Sequence, residues 1–158
     1  MTDPIQTIAA GGNPEWTGTF KHAAHGELTF RAKLPKGDQL TEHSLLADAL
    51  RDQAAQRLSE RLGVPVEPDR LSVETMLMLT AQSGILVLME RPVIREERVE
   101  DPENPDREKV VLHRYDPRED TDETFAVRVW TEFSRWRRDL AERVEELGKS
   151  SGGTTGSA

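Results

Sequence analysis

Apolar and polar positions alternate twice near the start of the chain. Trp16, Gly18 and Phe20 alternate with Thr17, Thr19 and Lys21, and Leu28, Phe30, Ala32 and Leu34 alternate with Glu27, Thr29, Arg31 and Lys33. A period of two on both sides of His22-Ala23-Ala24-His25-Gly26 predicts an antiparallel β-hairpin over 16–34. Its single apolar face calls for a helical layer to cover it. The period then lengthens. Leu46, Leu50, Ala54, Leu58 and Leu62, flanked by Leu45 and Ala49, form the stripe of a helix over about 39–62. Asp38 or Thr41 is placed to cap it, and Gly63 and Pro65 to stop it. Asp69 or Ser72 opens a second helix over about 72–91, which becomes apolar all round at 84–89, as a central core helix does. Gly84 in that stretch predicts the close approach of a neighbour, and Pro92 ends the helix.

Residues 92–120 break the pattern. The run from Arg95 to Asp106 is charged and interrupted by prolines, with Val93-Ile94 before it and Val110-Val111-Leu112 after it. Two readings stand: a second hairpin with its tip at 101–106, or an extended linker. Periodicity returns in a last helix over 122–147, capped by Thr121 or Asp122, with Phe125, Val129, Phe133, Trp136, Leu140, Val144 and Leu147 on one face and Trp130 at its edge. Asp139–Arg143 and Glu145–Lys149, acid first at four-residue spacing, support that helix. Residues 1–14 show no period and predict a flexible arm, and the Gly/Ser/Thr-rich 148–158 a disordered tail. The expected class is α+β. A single domain over 15–147 sets a small N-terminal hairpin on a bundle of three main helices, with a possible second hairpin and disordered termini.

Composition narrows the functions. The 158 residues give a net charge of −8 with the basic residues interspersed among acids, which argues against a nucleic-acid backbone as the main partner. There is no cysteine, so disulfides, thiolate metal sites and cysteine nucleophiles are excluded together. The longest apolar run, 84–89, is too short to span a bilayer, and the first residues lack the basic and apolar regions of a signal peptide. A cytoplasmic protein with no membrane partner is expected.

No catalytic pattern emerges. His22 and His25 lie on the predicted turn without a third ligand nearby, so they read as solvated histidines rather than a metal site, and His43 and His113 as isolated surface residues. Asp120-Thr121-Asp122 lacks the glycine and terminal Glu of a calcium-binding loop. Gly148-Lys149-Ser150 follows a helix instead of opening one, unlike a phosphate loop. The expectation is a non-enzyme without metal or cofactor. The aromatic face of the last helix is the candidate partner-binding site, at Phe125, Val129, Trp130, Phe133, Trp136 and Leu140. Burying each large side chain is worth roughly 1.5–3 kcal/mol, so something covers this face: either the domain's own core or a partner.

The order of these elements, a hairpin (17–20 and 28–35), a helical pair, a proline-marked segment after Glu90-Arg91-Pro92, and Val129-Trp130-Thr131-Glu132-Phe133-Ser134-Arg135-Trp136 in an acidic, arginine-rich helix, resembles the tail assembly chaperones of long-tailed bacteriophages over residues 16–147. The charged stretch 93–120 is longer than that pattern. The resemblance implies a self-associating protein of the infected cell's cytoplasm that coats the tape measure protein, keeps it soluble and helps recruit tail tube subunits. Such chaperones are often made in a short and a frameshift-extended form, and Gly148-Lys149 can be encoded by a slippery GGG-AAA run. The competing expectation is a structural component of the virion, a head–tail connector or tail completion protein.

Overall fold

In the computed structural model, residues 3–152 are described; residues 153–158 of the predicted tail and residues 1 and 2 of the predicted arm lie outside them. In chain order the elements are α1 (Pro4–Ala9), β1 (Glu15–His22), β2 (Gly26–Lys33), α2 (Gly37–Leu62), α3 (Val73–Leu88), β3 (Val93–Asp101), β4 (Asn104–Arg114) and α4 (Glu123–Gly152), with one 3-10 turn at Pro68–Arg70. The class is α+β, with two antiparallel hairpins and three main helices.

β1 and β2 pair with Trp16 opposite Ala32, Gly18 opposite Phe30 and Phe20 opposite Leu28. The alternation therefore places one apolar face inward, as predicted, and α3 and α4 cover it. Trp16, Leu28, Phe30, Ile85, Phe125, Val129 and Phe133 meet in the main core. A smaller cluster joins α2 to α3 through Leu50, Ala55, Leu71 and Leu79. α3 belongs to both, which is why its sequence turns apolar all round. Gly84 lies where α3 passes α4, and a Cβ there would collide with the Trp130 indole. The end of α3 is tied to the sheet by paired backbone bonds between Glu90 and Arg31, at 2.7 and 3.3 Å.

Several local expectations change. Ser72, not Asp69, caps α3, accepting the Thr75 N–H at 3.1 Å. α2 starts at Gly37, and Gln39 serves its first turn by accepting the Lys36 N–H at 2.9 Å, so neither Asp38 nor Thr41 is the cap. Gly63 ends α2 in the left-handed conformation, as a stop glycine should. Leu45 and Leu62 are exposed, leaving the stripe of α2 to Leu46, Leu50, Ala54 and Leu58. The N-terminal arm contains α1, whose cap Asp3 accepts from the Ile5 N–H at 3.2 Å with Pro4 in the first helical turn. α4 runs on to Gly152, so 148–152 are helical rather than tail.

Residues 93–114 form the second hairpin rather than a linker. Glu97 lies opposite Val111 and Arg98 opposite Val110, and the turn is tighter than expected, closed by Glu103 N–H donating to Asp101 Oδ1 at 3.0 Å. Most of its positions are exposed; Ile94 is its apolar link to the main core.

Candidate functional site

The two halves of α4 differ. In the first half, Phe125, Val129 and Phe133 are fully buried, and Trp130 is 8% exposed. Phe133 packs on Trp16 with ring centroids 5.3 Å apart, Phe125 on Phe30 at 6.1 Å, and Trp130 on His43 at 5.0 Å. These four candidate partner-binding residues are intramolecular core, because the hairpin's apolar face has no other cover. Leu140 is buried as well, and only Trp136 of the proposed set is half-exposed, stacked on Phe133 at 5.9 Å. The assignment of that face to a partner is thereby corrected for five of its six residues.

The second half of α4 is different in kind. Beyond Arg137, whose guanidinium charge is disfavoured by burial and which lies 5.8 Å from the Phe133 ring centroid, the apolar stripe continues through Leu140, Val144 and Leu147. α1 packs beside it, and Arg143 bonds Asp3 at 3.1 Å instead of reaching Asp139, whereas Lys149 does reach Glu145 at 3.2 Å. Between α1, the end of β2 and α4 runs an apolar groove of about 700 Å³, walled by Ile8, Pro14, Leu34, Leu140, Ala141 and Val144. Val144, in its wall, and Leu147, three residues further along α4, remain 43% and 53% exposed. Sequence reasoning missed the groove because it missed α1. The available signal was Asp3-Pro4, a cap followed by a helix-starting proline.

A buried polar cluster was also missed. His22 is 4% exposed, not solvated. Its Nδ1 accepts the Ala24 N–H at 3.0 Å, so in the neutral ring Nε2 carries the proton and donates to the Asp120 carboxylate, 3.0 and 3.1 Å away. Asp120 also accepts the Tyr115 hydroxyl at 2.7 Å and the Asp122 N–H at 2.9 Å. Burial, then the Asp120 hydrogen bond, push the Tyr115 phenol far above its ordinary range. No linear signal marks this cluster, since His22 and Asp120 stand 98 positions apart. Its atoms are mutually consumed, and it ties the end of β1 to the loop before α4.

The carboxylates of 116–123 have local work too. Asp122 accepts from the Thr124 hydroxyl and N–H at 2.7 and 3.1 Å, and that contact holds its carboxyl below the ordinary range. Asp116 is held low by the Arg118 guanidinium, 2.8 and 3.0 Å away. His43 is half-buried and bonds the Thr80 carbonyl at 3.1 Å, while its own carbonyl accepts the Ser83 hydroxyl at 2.7 Å. Among the described residues no three His, Asp or Glu side chains gather as a metal site, and no helix is long and apolar enough to cross a membrane. Comparison with protein-family models, with curated proteins and with solved structures returns no match to this chain.

Proposed function

We propose that this chain is a non-enzymatic tail assembly chaperone of a long-tailed bacteriophage, acting in the cytoplasm of the infected host. Its client is the tape measure protein, which it keeps soluble while tail tube subunits are recruited. The observation that carries the reading is the apolar groove along the second half of α4, with Val144 exposed in its wall and Leu147 exposed further along the helix. A long apolar helix is the ligand such a groove suits. Helix-in-groove recognition uses anchors three and four residues apart, and the exposed Val144 and Leu147, three residues apart, offer that spacing on the receiving side. The layout of hairpin, helical pair and aromatic last helix supports the same family.

Co-expression with the tape measure protein of the same genome tests it. The native chain is expected to hold that protein in the soluble fraction and co-purify with it. V144E combined with L147E is expected to stay folded but lose the client. Phe133→Ala, by contrast, empties a fully buried site and is expected to cost about 3–5 kcal/mol of stability. A tape measure protein that precipitates regardless of the native chain, or that the groove variant rescues equally well, refutes the proposal. Presence of the chain in purified virions would instead favour the structural-component reading.

A further inference from the structure

Among the described residues the β3–β4 hairpin is a two-stranded sheet, so each strand has one edge without a neighbouring strand. A lone ribbon is marginally stable in water, and an open edge is a template for another chain. The two edges differ in protection. β3 is guarded by Arg95, Glu96, Glu97 and Arg98, and β4 by Pro105 and the charged Asp106 to Lys109 in its first half, whereas the second half of β4 carries Val110-Val111-Leu112. Val110 and Leu112 are 53% and 49% exposed, a large fraction for two neighbouring apolar residues on one face of a strand.

That face of β4 reads Glu108, Val110, Leu112, Arg114. An acid, two apolar residues and a base form an order that is complementary to its own reverse. When β4 of a second copy lies antiparallel with the two Val111 residues opposite each other, Val110 faces the second copy's Leu112 and Glu108 faces its Arg114. The two-fold axis repeats both pairs. On the other face Lys109 falls opposite the second copy's His113, whose Nε2 already lies 2.7 Å from the Glu97 carboxylate. Centring on Val110 sets Glu108 against Leu112, and centring on Leu112 sets Val110 against Arg114, so both alternatives waste the pattern.

We propose that β4 is the self-association edge of this protein, joining two copies into a four-stranded antiparallel sheet with its two-fold axis at Val111. The groups involved are accessible. Glu108 has only a long contact to Arg98, 3.9 Å, with the two side chains 69% and 77% exposed. Arg114 donates one guanidinium N–H to the Arg91 carbonyl, leaving its other donors available. The dimer stands independently of the client binding proposed above, and it is measured without any client present.

Sedimentation equilibrium on the full chain tests it, with circular dichroism to check folding. The native chain is expected to dimerise. E108R sets like charges opposite each other twice, as does R114E, and each is expected to weaken the dimer by roughly tenfold or more. Mixing the two variants makes every pair complementary again, so heterodimers are expected at close to native affinity. E108R combined with R114E in one chain is expected to regain self-association. A monomeric native chain, single variants that dimerise as well as the native chain, or the absence of rescue on mixing would each overturn the assignment.

Discussion

Gly84→Ala should destabilise this protein although alanine is the better helix former. Two favourable effects act on the change. Alanine in a helix interior gains about 1 kcal/mol over glycine, and burying the added methyl gains up to about 0.8 kcal/mol. Against them stands Trp130. The new Cβ would meet the Cζ3, Cε3 and Cη2 atoms of its indole, the last at 2.7 Å, well inside ordinary carbon contact. The ring is not the loose end of a flexible chain. It is 8% exposed and flanked by His43 at 5.0 Å and Phe133 at 5.7 Å, with Phe133 fully buried in turn. Relief therefore requires α3 and α4 to move apart, and the burial gain is lost as they do. Overpacking of this kind costs about 3 kcal/mol at the upper end of its usual range. The net expectation is a loss of about 2 kcal/mol, a fall in Tm of roughly 4–8 °C for a chain of this size. Urea denaturation and calorimetry measure it. The decisive control is a double-mutant cycle with Trp130→Phe, which shortens the ring where the methyl intrudes. The combined variant should be more stable than the sum of the single effects predicts. A Gly84→Ala protein as stable as the native one, or strict additivity in the cycle, refutes the close-approach argument.

Two further predictions concern pH. Tyr115 is the chain's one tyrosine, so the rise in tyrosinate absorbance reports it alone. Because its folded pKa is raised, its stabilising contribution is whole below the unfolded value near 10 and is lost as pH rises beyond it. The absorbance should stay flat past pH 10 until the chain unfolds, and Tyr115→Phe should flatten the alkaline loss of stability; free titration near 10 in the folded protein would contradict the buried cluster. Asp116 runs the other way. Its folded pKa is depressed by Arg118, so its contribution is present above the unfolded value near 3.9 and fades as pH falls through the lower folded one. Asp116→Asn should therefore give a shallower fall in urea midpoint below about pH 4 than the native chain shows, and parallel curves would rule this pair out as a source of acid sensitivity.

The parts of the fold that were readable in the sequence are those where burial imposes a period. Trp16 to Leu34 alternate because one face lies on α3 and α4, and α3 announced its central position through its continuous apolar run. β3 and β4 gave an ambiguous signal for the converse reason. With charges on both faces and most positions exposed, no core selects one register over another. The last helix was legible as a helix but not as to what it touches, since a stripe specifies that a face is covered and says nothing of the cover. Phe133 meets Trp16, far back in the chain, and only the assembled fold brings them together. α1 was concealed by its brevity, and the extension of α4 through Gly148 by the Gly/Ser/Thr-rich composition of 148–158. Gly148 differs from Gly63 there: the latter takes the left-handed conformation that ends a helix, and the former stays in helical backbone.

The pairing of the first hairpin with the last helix sets the timetable of synthesis. Arg128 bonds the Lys21 carbonyl across 107 positions, and His22 waits on Asp120 across 98. At about 5–20 residues per second of translation, Trp16, Phe20 and Phe30 leave the ribosome roughly 5–20 s before the helix that shelters them. During that interval the nascent chain carries a bare aromatic sheet, and any truncation before α4 makes the exposure permanent. α2 and α3, adjacent in sequence, can close their own small cluster first and offer the hairpin the Ile85 side of a platform on which to wait. A chain proposed to shelter another protein's apolar helices is thus itself, for its first seconds, a molecule in need of shelter.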